Sequence, residues 1–167
     1  RALDKKFISK ARPYIPFTPP NVAWQISDKE AKSILDVGCG TGEPMKLFKR
    51  LGRFLSVWID IHLPYLREAK AKECHDQYIL CDIRRLPFRR KSFDLVLCLE
   101  VLEHLGKRAG RELITHLEEI ARRQVIISAP VSQQIQKPYD NNPNQEHKSG
   151  WRPNEFAGLG FSVRGLG

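Results

Sequence analysis

Ile34-Leu35-Asp36-Val37-Gly38-Cys39-Gly40-Thr41-Gly42 decides the fold of this 167-residue chain. An apolar run carries an acid near its end, opens into three glycines at alternate positions, and gives way to a helix-compatible stretch, Glu43 to Leu51. That is a buried strand entering a tight loop with few side chains in the way. Glycine takes positive φ without steric penalty and lets the backbone approach a ligand, while the helix N-terminus behind it offers free N–H groups. A second acid, Asp60, closes the next apolar run, Phe54 to Ile59. In an open parallel sheet this places a carboxylate at the tip of the neighbouring strand, where it can grip a ribose diol. The ligand expected from these residues is a cofactor containing a nucleoside.

Two familiar loops do not fit. The dinucleotide fingerprint G-x-G-x-x-G needs glycine where Glu43 stands, and a P-loop needs Lys followed by Ser or Thr after its glycines. The form D-x-G-x-G-x-G, Asp36 to Gly42, instead resembles the first motif of class I S-adenosylmethionine-dependent methyltransferases. The resemblance continues downstream in the same order. Asp60 matches the family's ribose-binding acid, and Cys81-Asp82-Ile83 matches the acid that meets the adenine amino group. Phe93 to His104 matches the fourth strand and the turn beyond it.

The resemblance implies an α/β fold, a doubly wound, mainly parallel sheet with helices on both faces. It implies S-adenosylmethionine as cofactor, held by Asp36, Gly38, Cys39, Gly40, Gly42, Asp60, Ile61, Asp82, Ile83, Leu99 and Glu100. Asp36 and the glycines are expected to face the methionine end, Asp60 the ribose hydroxyls, and Ile61 with Ile83 the adenine faces. Two other classes stay open, a nicotinamide dehydrogenase and a non-catalytic or truncated cofactor-binding domain.

From Ser33 onward the pattern alternates. Strands are expected near 34–38, 54–60, 77–81, 93–99, 124–129 and 161–165, and helices near 43–51, 63–73, 108–120 and 153–159. Continuous apolar runs such as Leu95-Val96-Leu97-Cys98-Leu99 are strands buried on both faces, and alternation of strand and helix gives a parallel sheet. Residues 33–167 thus form the cofactor-binding domain. The family's sheet ends in one more strand than this chain supplies after Phe161-Ser162-Val163-Arg164, so the last strand is expected to be missing. Residues 1–32 are expected as a lid and connector: a basic amphipathic start, the proline-rich Pro13 to Pro20, then a short helix from Val22 to Lys32. Tyr14, Phe17 and Trp24 are candidates to line that lid.

The methyl on a sulfonium is already activated, so transfer needs chiefly an oriented nucleophile and exclusion of water. A base is needed only where the nucleophile must lose a proton. Glu100-Val101-Leu102-Glu103-His104 follows the fourth strand; in a helical turn Glu100 neighbours both Glu103 and His104. His147, in Asn144-Gln145-Glu146-His147-Lys148, lies in the loop after the fifth strand, at the same sheet edge. The catalytic candidates are His104, His147 and Glu103. Glu100, Glu103, His104 and His147 are together a conceivable divalent-metal set, which is not the favoured reading. The string resembles that of small-RNA 3′-terminal 2′-O-methyltransferases, but E-V-L-E-H also occurs in ubiquinone-biosynthesis-like O-methyltransferases. No Asp/Asn-Pro-Pro-aromatic motif follows the fourth strand, which disfavours methylation of exocyclic base amines. His62, His75 and His116 read as surface or helix residues without partners.

Composition sets outer bounds. A 41% apolar and 28% charged chain is ordinary for one globular domain, and neither a membrane-length apolar run nor a secretory leader is visible. Four cysteines without metal or redox spacing read as reduced thiols of a cytoplasmic protein. The net charge is +9, with Arg84, Arg85, Arg89, Arg90 and Lys91 crowded into one loop. That patch makes RNA a conceivable partner. The preferred acceptor is an oxygen or nitrogen of a small metabolite, and the oligomeric state is open.

Overall fold

The computed structural model describes residues 3–10, 19–73, 75–131 and 135–166. Its centre is a seven-stranded sheet built from β1 (Asp4–Lys10), β2 (Ser33–Val37), β3 (Leu55–Asp60), β4 (Gln77–Leu80), β5 (Phe93–Leu99), β6 (Ala121–Pro130) and β7 (Ser162–Leu166). Their order across the sheet is β4-β3-β2-β5-β6-β1-β7, and every pairing is parallel. The order reverses at β2, so the tips of β2 and β5 flank the switch point where open α/β sheets take their ligands.

Helices cover both faces, as the alternating pattern requires. Trp58, Ile34, Leu95 and Leu97 point to one face and pack with Met45 and Phe48 of α2 (Glu43–Leu51), Val22 and Ala23 of α1 (Pro19–Ile26), and Ala69 of α3 (Leu63–Ala71). Leu35, Val37, Val96, Cys98 and Ile127 point to the other, against Leu113, Ile114 and Leu117 of α4 (Lys107–Ile120) and Phe156 of α5 (Pro153–Gly158). Seven consecutive residues of β5 are buried, as expected of a central strand covered on both sides.

The N-terminal segment departs from expectation. Asp4–Lys10, read as the amphipathic start of a connector, is a strand inserted between β6 and β7. The side chain of Gln124 explains part of that docking: its Nε2 donates to Asp4 Oδ2 and to the Ile26 carbonyl, while its Oε1 accepts from the Asp28 N–H. No strand follows β7 among the described residues, and the place beside β6 is filled by β1. Tyr14 and Phe17 lie outside the described residues. Trp24 is half-buried and packs edge-on against Phe48, 5.2 Å between centroids, on the sheet rather than over a cleft.

Candidate active-site cleft

The C-terminal tips of β2, β3, β4 and β5 and the loops behind them enclose a cleft of about 670 Å³, within the range usual for small-molecule sites. Gly38, Gly40 and Gly42 have φ of 69°, 58° and 87°. Gly38 ties the loop to the next strand through its N–H on the Ile59 carbonyl at 2.9 Å. A Cβ there would come within 2.7 Å of Val101 Cγ2, whereas one on Gly40 would meet nothing within 4 Å. The loop is therefore packed from below at Gly38 and open at Gly40, as a backbone cradle for a ligand must be. Asp60 is bonded back to this cradle: Oδ2 accepts from the Gly40 N–H at 3.0 Å and Oδ1 from the His62 N–H at 2.7 Å. Burial raises the pKa of Asp60, and those two N–H groups oppose the rise.

Of the residues singled out in the sequence, Gly38, Cys39, Gly40, Asp60, Ile61, Asp82, Ile83, Leu99, Glu100, Glu103, His104 and His147 all line this cleft. Two do not. Gly42 caps α2, and Asp36 is 2% exposed, beneath the loop rather than on the wall. The reason is strand alternation: Asp36 shares a face with Ile34 and pairs in register with Trp58, so its side chain enters the α2/α3 layer. His75 is its neighbour there, Nε2 to Asp36 Oδ2 3.6 Å; this corrects the reading of His75 as a surface residue. Asp82 accepts from the Arg84 N–H at 2.9 Å and from the Arg84 guanidinium at 2.6 Å, which hold its carboxyl below the usual range.

The opposite end of the cleft is made differently. After β5 the chain turns through Glu100 at φ 56°, a left-handed position unusual for a side chain with a Cβ. Its N–H donates to the Ser128 carbonyl at 3.0 Å, and its Oε1 accepts from Ser128 Oγ at 2.8 Å. A short 3-10 turn, Leu102–His104, follows. Glu100 therefore lies outside the turn, and the helical neighbourhood expected of it with Glu103 and His104 does not form. Glu103, His104 and His147 do converge, with ligand atoms all within 4.8 Å of one another. Glu100 is not in that group, so the four-residue metal set reduces to three.

Segment 136–149 clamps this end. The N–H groups of Lys148 and Ser149 both donate to the Glu103 carbonyl, at 2.7 and 3.1 Å, and the His147 N–H donates to the Gln136 carbonyl at 3.1 Å. Ser149 Oγ donates to the Leu105 carbonyl at 2.7 Å and accepts from Trp151 Nε1 at 3.0 Å. His104 Nδ1 lies 3.2 Å from the Glu146 carbonyl. A carbonyl only accepts, so Nδ1 carries the proton and Nε2 is left as the lone-pair nitrogen. Burial lowers the pKa of His104. Burial, and then Glu100, push Glu103 up to about 8, and its Oε2 has no partner. A neutral imidazole beside a protonated or half-protonated carboxyl can accept a proton, and with Glu103 ionised the same three groups could hold a cation.

Over the cleft lie Asn144, Gln145 and Lys148, of the loop expected at this sheet edge, and Pro19 and Pro20 from the start of α1, in the segment expected as a lid. Sequence reasoning missed Tyr139 and Asn142, which complete this roof. Asp140 is hydrogen-bonded to Tyr65 of α3, whose hydroxyl burial and Asp140 push up to about 12. Asn142 is 2% exposed and caps the turn Pro143–Gln145 through the Asn144 N–H. The signal available was Asn142-Pro143, a turn start whose Asn side chain stays with the backbone.

Residues 35–123 match the family model described as a methyltransferase domain. The chain belongs to that family. Its matched span holds the glycine loop, Asp60, Asp82 and the Glu103–His104 turn, the set expected of a class I S-adenosylmethionine-dependent methyltransferase. An uncharacterized protein of Methanocaldococcus jannaschii is 40% identical over 82 residues, 49% of this chain and 34% of the relative. "Probable tRNA methyltransferase 9B" of Bos taurus is 30% identical over 94 residues, 56% of this chain and 19% of the relative. Malonyl-(acyl-carrier protein) O-methyltransferase of Pseudescherichia vulneris is 31% identical over 71 residues, 42% and 28%. This methyltransferase-domain chain thus spans between about a fifth and about a third of the length of these curated relatives. A SAM-dependent methyltransferase structure from Archaeoglobus fulgidus shares the fold, with a TM-score of 0.63 at 22% identity over 78% of this chain and 59% of that one.

Proposed function

We propose that this chain binds S-adenosylmethionine at the glycine-loop end of the cleft and methylates an oxygen or nitrogen of a small metabolite at the histidine end. The observation that carries the reading is the two-ended cleft, an open backbone cradle with Asp60 at one end and a neutral, carbonyl-oriented His104 at the other. Gly38, Cys39 and Gly40 would lie along the methionine portion, Asp60 against the ribose, and Ile61, Asp82 and Ile83 around the adenine. When bound, the cofactor supplies a methyl carbon on a sulfonium leaving group.

The residues of the chain do the rest. His104 Nε2 takes the proton that a hydroxyl loses as it attacks, or that an ammonium loses to become the attacking amine, and the Glu146 carbonyl fixes its tautomer. His147, ring centroid 4.9 Å from His104, and Glu103 orient the acceptor. Segment 136–148 excludes water and limits acceptor size, which favours a metabolite over a polymer. The three described cysteines are free thiols, in keeping with a reducing, cytoplasmic setting. No helix among the described residues is long and apolar enough to cross a membrane.

A second reading has its own observation. Glu103, His104 and His147 form the one metal-capable group found among the described residues. A divalent cation there would orient ribose hydroxyls, making an RNA 2′-oxygen the acceptor. The basic loop supports this weakly, because Arg84 is engaged by Asp82 and Lys91 Nζ donates to the Ala121 carbonyl. The test is transfer of labelled methyl from S-adenosylmethionine into fractionated cell extract, with and without magnesium or manganese. Label in the small-molecule pool, indifferent to metal, is expected. Label in an RNase-sensitive polymer that requires metal would replace the first reading by the second.

A further inference from the structure

Beneath the glycine loop lies a buried polar cluster that the proposed chemistry leaves unused. His75, in the connection between α3 and β4, has a fully buried side chain. Its ring is fixed on two sides, tilted against Trp58 at 4.4 Å between centroids and edge-on to Tyr78 at 5.9 Å. Its backbone N–H donates to Tyr78 Oη at 2.9 Å, so the segment that carries it is anchored as well. Nε2 faces Asp36 Oδ2 at 3.6 Å, and both atoms are buried without a hydrogen-bond partner. Two facing, unpartnered polar atoms, one on a ring that has nowhere else to turn, call for an explanation beyond packing. At this distance the contact is electrostatic, just outside hydrogen-bond reach, and an approach of a few tenths of an ångström closes it.

We propose that His75 is a positioning residue for cofactor binding: its neutral ring donates from Nε2 to Asp36 and keeps that carboxylate ionised beneath the glycine loop. The inference rests on the S-adenosylmethionine reading of the cleft. The cofactor and its demethylated product both carry an ammonium, and a carboxylate buried one layer below the loop attracts it through a poorly screening interior. Several groups surround the pair. Asp60 at the tip of β3 opposes ionisation of Asp36, and burial with Asp60 pushes Asp36 up to about 7. The Cys39 and Cys98 thiols lie within its field and stay protonated. Burial, and then Lys49 of α2, lower His75 to about 3 against the opposing pull of Asp76, so the ring is neutral and can only share, not supply, a charge.

The experiment is calorimetric titration of the whole chain with S-adenosylhomocysteine from pH 6 to 8.5, which reads binding without turnover. Affinity in the wild type should rise about tenfold from pH 6 to 8, as the binding-competent ionised fraction grows. Asp36→Asn should flatten the profile. His75→Leu should lose about fivefold at pH 7 and regain most of it by pH 8.5, a shift of the midpoint by about one pH unit. His75→Gln, which keeps an N–H donor near Nε2, should restore the wild-type profile and guards against misfolding of the leucine variant. A flat wild-type profile, or equal losses in both variants at every pH, overturns the proposal and leaves the cofactor reading intact. A wild-type chain that binds no cofactor at any pH overturns both.

Discussion

At one end of the cleft Gly38, Gly40 and Asp60 are placed by strand tips whose separation is fixed by sheet spacing. At the other, Glu103, His104 and His147 are placed by the N–H groups and carbonyls of a single irregular segment. The first end is set by local rules: where a strand stops, which positions need positive φ, which side of a strand a residue faces. The second depends on a crossing of residues more than 40 positions apart, His104 to Glu146 and Lys148 to Glu103. A cofactor common to a family suits the rigid end, and acceptor choice suits the end that changes with one loop. The two ends should therefore fail independently when perturbed.

The largest effect is expected at the histidine end. His104→Ala should lower turnover by about 10²- to 10⁴-fold, the usual worth of a general base, while calorimetric affinity for S-adenosylhomocysteine stays unchanged. Loss of both would break the separation. Next is Gly38→Ala, which combines φ 69° with a 2.7 Å approach to Val101. Strain of about 1–3 kcal/mol predicts a cofactor affinity about 5- to 150-fold weaker, with Gly40→Ala milder.

A third perturbation sharpens the contrast through stability. Because Glu103 has a folded pKa raised to about 8, the fold takes up a proton there; that contribution is complete at low pH and is lost as pH rises through 8. Glu103→Gln should therefore melt higher than wild type at pH 8.5, by at least about 2–4 °C, with the difference vanishing near pH 4. A difference independent of pH would mean that the carboxyl is not held protonated. The smallest effect is expected of Arg89→Ala with Arg90→Ala. Neither cofactor nor metabolite affinity should move by more than about twofold, and activity should be nearly flat in salt. A steep salt dependence would favour a polyanionic acceptor.

The difference between the ends also explains what was legible beforehand. The strands and helices from Ser33 onward, and the cleft positions of Asp60 and the glycine loop, follow from period and spacing, which are local properties; Asp82 was legible only through the resemblance to the family. Asp36 reads as a cofactor contact from its motif, but alternation along β2 turns it inward onto His75, a partner with no sequence signal in Cys74-His75-Asp76. Glu100 reads as part of a helical turn, but its bonds to Ser128 hold it in a left-handed conformation that no propensity foretells. The strand Asp4–Lys10 escapes notice for the same reason: its partners, Gln124 and Ser162, lie far along the chain.

That strand has a consequence in time. Asp4 meets Gln124 across 120 residues, and the other edge of β1 waits for β7, at Ser162–Leu166. On a ribosome β1 is thus made long before either of its neighbours in the sheet. Long-range parallel pairing is slow because the chain must close its largest loop before any contact offsets the lost entropy. Until then β6 presents a bare edge, a surface on which another nascent copy could pair. The opposite half of the sheet, β2 to β5, can assemble before that closure. The chain is thus expected to fold in two stages, glycine loop first and sheet closure last, with yield at high concentration limited by the second.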